Sequence, residues 1–216
     1  ANGCPAERIT LHHIGVDTRV FRPHAAAPRA ASLVLFVGRL VAKKGLTHLL
    51  AAMPAVLRAV PGAELVVVGD GPLRATLERE AAGAALPVRF LGVQSPAAVR
   101  DLMCRAAVLC APGVVTPRGD AEGLGMMIVE SQACGLPVVT TPSGGAAEGV
   151  VDGETGLVVP AGDPAALATA LAAVLGDAAF RERAGATARA HALARFDLRT
   201  QTARLESIYD EVLGAR

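Results

Sequence analysis

Six short apolar runs, separated by longer stretches of helical periodicity and bounded by Gly, Pro, Asp or Ser, leave this chain few ways to fold. The runs are Leu33 to Val37, Leu65 to Val68, Val88 to Leu91, Val108 to Ala111, Val138 to Thr140 and Leu157 to Val159. Helical patterns lie between and after them, at about Leu46 to Ala59, Leu73 to Ala82, Ala97 to Arg105, Gly125 to Cys134 and Ala165 to Leu175. Such short apolar runs read as buried strands, and strands that alternate with helices pair in parallel, with the helices covering both sides. The pattern predicts a Rossmann-like, doubly wound α/β domain of about six parallel strands over residues 31–176, with a helical C-terminus at about Ala178 to Ala194 and Arg199 to Leu213 in residues 177–216. The first 30 residues stand apart. Ile9 to Ile14 is a brief strand-like run, and Pro23 to Ser32 is a Pro- and Ala-rich linker that includes Ala25 to Ala27. Residues 1–30 read as a connector from another domain, so the chain is expected to be a piece of a longer protein.

Composition narrows the function. With 216 residues, 52% hydrophobic and 19% charged, the chain is long and apolar enough to bury a core, which excludes disorder. No stretch of about 18 residues lacks a charge, Pro or Gly, so a membrane span and a signal-peptide core are not expected, and a cytoplasmic location is. A formal net charge of +1 holds no polyanion non-specifically, and 3% aromatic content without Trp gives no stacking platform for bases, so nucleic acid is not an expected partner. Cys4, Cys104, Cys110 and Cys134 show no C-x-x-C spacing and sit in apolar or strand-like contexts. They read as reduced core thiols, and no metal is implied.

In an open parallel sheet, ligands bind where loops leave the carboxyl ends of the strands. The loop after the first run, Gly38-Arg39-Leu40-Val41-Ala42-Lys43-Lys44-Gly45, joins a glycine that permits close backbone approach to three cations, a composition suited to a diphosphate. It is not a Walker A loop, and a solvated basic loop is the plainer alternative. After the second run, Gly69-Asp70-Gly71-Pro72 lacks the third glycine of a dinucleotide fingerprint, having Arg74 there, and reads as a tight turn into a helix. The most informative segment runs from Gly119 to Pro137. Gly123 and Gly125 expose amides at a helix start, where the positive dipole end holds anionic oxygens. Glu122 stands just before that start and Glu130 eight residues on, about 12 Å apart or somewhat less along the axis. That is too far for a shared acid and base pair, but it fits two ends of an elongated ligand. By spacing alone, a cap glutamate and an unrelated surface glutamate explain the pair equally well. The charge of Glu130 inside the apolar run Met126 to Ala133 favours the functional reading. Ser143-Gly144-Gly145-Ala146-Ala147-Glu148 is another amide-rich turn, or a plain helix cap. His12 and His13, read as strand neighbours facing opposite ways, are weak catalytic candidates.

Taken in order, these residues resemble the C-terminal, donor-binding domain of a GT-B retaining glycosyltransferase of family four. Ile14-Gly15-Val16-Asp17 with Val20-Phe21-Arg22-Pro23 resembles the connector that follows the family's acceptor domain. Gly38-Arg39-Leu40 to Lys44-Gly45 is similar to its "GRL…KG" loop, which implies that Arg39 and Lys44 bind the donor diphosphate beside Gly38. Phe90-Leu91-Gly92 resembles the segment beside the nucleobase. Glu122 and Glu130 match the E-x7-E pattern, which implies that Glu122, with the amides of Gly123, Leu124 and Gly125, holds the transferred sugar and Glu130 the ribose. Arg39, Lys44 and Glu122 are thereby the implied catalytic residues. Gly135-Leu136-Pro137-Val138-Val139, Gly144-Gly145, Gly153 and Gly156-Leu157-Val158-Val159-Pro160 complete the match. The resemblance implies a UDP-, GDP- or ADP-sugar donor with no further cofactor, a saccharide or lipid-linked acceptor, and an N-terminal acceptor domain with no counterpart in these residues. It also implies surface polysaccharide biosynthesis at the inner face of a membrane, with peripheral association of the full enzyme. Gly119-Asp120-Ala121-Glu122 and His12 to Thr18 resemble colanic-acid-type transferases more closely. The chain departs from the family pattern at Met126-Met127, at Glu130-Ser131-Gln132-Ala133 and at Pro112-Gly113, which bears on the shape of the sugar pocket. Two alternatives stand beside this reading. One is a non-catalytic nucleotide-sugar-binding module. The other is a nucleotide-dependent epimerase or oxidoreductase, against which stand the missing third glycine and the lack of a Tyr-x-x-x-Lys pair at Tyr209.

Overall fold

Every strand pairing in the sheet is parallel, in the order β3-β2-β1-β4-β5-β6. The computed structural model describes residues 3–24 and 29–214. The sheet is built from β1 (Leu33–Val37), β2 (Glu64–Val68), β3 (Val88–Phe90), β4 (Val108–Ala111), β5 (Val138–Thr140) and β6 (Gly156–Val158). Helices α1 (Leu46–Ala59), α2 (Arg74–Gly83), α3 (Pro96–Arg105), α4 (Met126–Ala133) and α5 (Pro164–Gly176) connect and follow the strands, and α6 (Ala178–Phe196) and α7 (Leu198–Gly214) close the chain.

Strand alternation splits the core in two. Val34, Phe36, Leu65 and Val67 face α1, α2 and α5, where they meet Leu49, Met53, Leu77 and Leu171. Leu33, Leu35, Val66 and Val68 face the other way, onto Met103 of α3 and Ile128 of α4. Each such side chain taken fully out of water contributes about 1.5–3 kcal/mol. Helix α1 buries Leu46, Leu49, Leu50, Met53 and Val56, a stripe at helical spacing, and tolerates Pro54 because that residue stands on the exposed side. Helix starts follow ordinary capping chemistry. Asp163 accepts from the Ala165 and Ala166 amides at 2.9 and 3.0 Å ahead of Pro164, and Ser95 accepts from Ala98 at 3.3 Å ahead of Pro96.

Several expectations are corrected. Ile9 to Ile14 forms no strand. Ile9, Leu11 and Ile14 are exposed, and just beyond the segment Val16 bridges Asp197, which belongs to no sheet strand. The segment is nevertheless tied to the domain. Val16 donates to the Phe196 carbonyl at 2.8 Å and accepts from Leu198 at 2.9 Å, closing on the α6–α7 junction. Cys4 is exposed, whereas Cys104, Cys110 and Cys134 are buried free thiols. Helix α4 starts at Met126, one residue later than its periodicity suggests. The Ala25 to Ala27 run lies outside the described residues.

Candidate functional site

β1 and β4 are neighbours whose following helices lie on opposite faces, so their loops part above the sheet and open the crevice where such folds bind ligands. Gly45 is the pivot of the first loop. Its φ of 69° places it in the left-handed region, and a Cβ there would overlap the Pro112 carbonyl of the second loop, so only glycine lets the two pass. Val114 donates to the Lys43 carbonyl at 2.9 Å, and two consecutive lysines then reach across. Lys43 Nζ meets Asp120 Oδ1 at 2.9 Å and the Ala121 carbonyl at 3.3 Å. Lys44 forms an ion pair with Glu122, both side chains being largely enclosed at 15% and 18% exposure. The Lys44 stem crosses over Gly38, its Cδ within 3.5 Å of where a Cβ would stand. Arg39 is exposed and forms no ion pair among the described residues. Beneath the pair, Lys44, Glu122, Gly113 and Met127 help line a cavity of about 20 Å³, the size of one water.

Glu122 is held by its main chain as well. Its carbonyl accepts from Gly145 at 3.1 Å, and Gly144, at φ +59°, lies so close that a Cβ would overlap that oxygen. The Ser143–Gly145 turn runs into a 3-10 turn, Ala146–Gly149. The enclosed Ser143 hydroxyl beside Gly113 has no partner among the described residues. Gly123, Leu124 and Gly125 lead into α4 through a bend at Leu124, with Gly125 in the left-handed region, where a Cβ would stand 3.6 Å from the Glu122 Cγ. One helix length on, Glu130 is half-buried, and burial pushes its carboxyl above the ordinary glutamate range. Phe90, Leu91 and Gly92 sit at the end of β3, two strands from β1, on the order of 10 Å across the edge. The Phe90 ring packs against the core, and beyond it the Gly92 carbonyl accepts from Gly69 at 2.8 Å. Gly71 packs against Leu40, as a tight turn requires.

The fold thus brings Gly38, Lys44, Glu122 and the Gly123–Gly125 amides together, with Glu130 and Gly92 farther along. His12 and His13 do not join them. His13 instead reaches Glu148 of the 3-10 turn at 3.0 Å, a contact that the sequence reading did not anticipate. Two arginine clamps were equally hidden. Arg29 donates to the Met103, Ala106 and Cys134 carbonyls at 3.1, 3.0 and 2.7 Å. Arg189 donates to those of Phe21, Ala133 and Thr18 at 2.8, 2.7 and 3.0 Å. The only signal for such clamps is an arginine within an otherwise Ala-rich face. Among the described residues no three His, Cys, Asp or Glu side chains converge as metal ligands.

A parallel sheet of this order, with its switch-point crevice and purely helical ending, is the architecture of the C-terminal half of a GT-B glycosyltransferase. The chain belongs to the family glycosyl transferases group 1, whose model matches residues 17–191. It is 35% identical over 213 residues to a GDP-mannose-dependent monoacylated alpha-(1-6)-phosphatidylinositol monomannoside mannosyltransferase of Corynebacterium glutamicum, covering 92% of this chain and 56% of that protein. To the phosphatidyl-myo-inositol mannosyltransferase of Mycobacterium leprae it is 36% identical over 201 residues, covering 92% and 52%. The chain therefore spans about half the length of these curated relatives. Among solved structures it is similar to Anabaena HepE in complex with UDP and glucose, with a TM-score of 0.83 at 24% identity over 97% of this chain and 59% of that one. It also matches the C-terminal domain of a glycosyl transferase group 1 family protein from Francisella tularensis, with a TM-score of 0.74 at 21% identity over 85% of this chain and all of that one.

Proposed function

We propose that this chain is the donor-binding half of a retaining hexosyltransferase that moves a hexose from a nucleoside-diphosphate sugar to a lipid-linked or saccharide acceptor. The observation that carries the reading is the Lys44–Glu122 pair beside the Gly123–Gly125 amides. A diphosphate–sugar junction needs a cation for the phosphate next to a carboxylate for sugar hydroxyls, and the crevice supplies both. In this reading Arg39, Lys44 and the amides ahead of α4 bind the diphosphate and stabilise the charge that develops on it as the sugar departs. Glu122 orients the sugar, Glu130 takes the ribose hydroxyls, and the Phe90–Gly92 segment borders the base. The departing phosphate draws the proton from the incoming hydroxyl, so no other base is required. GDP-mannose is the favoured donor and an inositol lipid the favoured acceptor class, since the similar proteins of Corynebacterium and Mycobacterium carry those substrates in their names.

The remaining assignments belong to the same proposal. Residues 1–30 connect to an acceptor domain, 31–176 bind the donor, 177–216 form the C-terminal helices, and the whole works in the cytoplasm at the inner face of a membrane. Calorimetric titration with GDP-, UDP- and ADP-hexoses tests it. The expected result is binding of GDP-mannose in preference to the others, and binding of none of them would overturn the reading.

A further inference from the structure

We propose that His13 and Glu148 are positioning residues that couple the connector to the donor-sugar carboxylate; the proposal rests on the donor-site reading above. His13 Nε2 lies 3.0 Å from Glu148 Oε2, and since a carboxylate can only accept, that nitrogen carries the proton. The contact joins residues 135 positions apart. Glu148 donates its amide to the Gly145 carbonyl at 3.0 Å, and Gly145 in turn donates to the carbonyl of Glu122 at 3.1 Å. Three short links therefore run from the connector to the residue that orients the sugar.

The His13 ring is itself fixed. It stands edge-on to Phe196, ring centroids 5.5 Å apart, and His191 stands edge-on to the same ring at 5.4 Å. His191 Nδ1 is 3.0 Å from Gln132 Oε1, and the Gln132 amide donates to the Gly149 carbonyl at 2.6 Å, so a second arm reaches the other end of the same 3-10 turn. The 3-10 turn that follows directly on Gly144 and Gly145 is thus gripped from the connector and from α6 together. Glu148 is 53% exposed, and an exposed pair of this kind adds little to global stability. Its geometry serves the placement of Glu122 instead.

The test compares His13→Ala, His13→Gln and Glu148→Gln with the unaltered chain, measuring affinity for GDP-mannose and for bare GDP and the unfolding midpoint. GDP-mannose should bind about two- to fivefold more weakly to His13→Ala and Glu148→Gln, while GDP affinity and the midpoint stay near their starting values. His13→Gln, which keeps an N–H donor toward Glu148, should restore most of the loss. Hydrogen exchange gives a second readout without ligand, with the Gly144 to Gly149 amides exchanging faster in His13→Ala and recovering in His13→Gln. If the unaltered chain bound both ligands and the variants kept its ratio of affinities, the coupling would be refuted with the donor site intact. If the unaltered chain bound neither, the donor reading would fall and this proposal with it.

Discussion

At the scale of single residues, the Lys44–Glu122 pair changes what substitution should do. Were the two side chains independent, removing Glu122 would leave a bare nucleoside diphosphate untouched. Because Glu122 neutralises Lys44, Glu122→Gln should free the ammonium and raise affinity for bare GDP by at least about two- to fivefold, the scale even of a solvent-screened ion pair, while weakening GDP-mannose relative to GDP. Paired titrations of the two ligands check both signs. Glu130 gives a pH prediction. Its folded pKa lies above the ordinary value, so protonation relieves the buried charge as pH falls, whereas in the proposed donor site ribose hydroxyls would donate to the ionised form. Donor affinity should therefore fall with acidification through that raised pKa, by at most about tenfold per pH unit, and Glu130→Gln should flatten the profile. Both glutamates were legible in the sequence from their spacing and from a charge in an apolar run. The ion pair was not, because Lys44 and Glu122 meet only through the passage of Gly45 beneath Pro112, a register of two distant loops that no local pattern encodes.

At the scale of elements, α6 and α7 diverge in a way that periodicity only half anticipates. In the sequence both read simply as helical. Helix α6 seats Ala184, Gly185, Ala188 and Ala192 inward, with Gly185 directly on the Gly135 carbonyl, whereas α7 exposes Tyr209, Val212 and Leu213 and buries only Gln201. Charged replacements at Val212 and Leu213 should change stability by no more than about 0.5 kcal/mol, as denaturation would report. Arg189 is the opposite case. Its half-buried fork satisfies the carbonyl of Ala133 at the end of α4 and those of Thr18 and Phe21 in the connector. Lysine cannot span all three, so Arg189→Lys should cost about 1–3 kcal/mol in urea unfolding. The helices were legible from their caps and stripes. The clamps between them were not, since a guanidinium that bonds main-chain oxygens leaves no partner residue to recognise.

At the scale of the whole molecule, alternation of runs and helices was enough to set the parallel, doubly wound fold and the edge on which its loops gather, because few topologies bury such strands on both faces. The docking of residues 13–21 on α6 escaped the sequence reading, since it depends on single contacts and has no repeating pattern. If the other wall of the cleft belongs to a separate domain, this chain alone should bind donor yet transfer hexose at a small fraction of the rate of a two-domain relative, because water is not excluded from the reacting bond. Release of GDP from GDP-mannose, with and without acceptor, measures this. Met126 and Met127, at the start of α4, carry a different kind of consequence. Met126 packs among Val16 and Phe196 toward the connector, while Met127 lines the cavity beneath Lys44 and Glu122. Both are unbranched, polarizable chains able to settle into more than one shape. If the proposed donor site is right, its sugar pocket has a floor that can be re-moulded without disturbing the loops above it, so that a change of side chain here would alter donor preference while leaving the diphosphate loops in place.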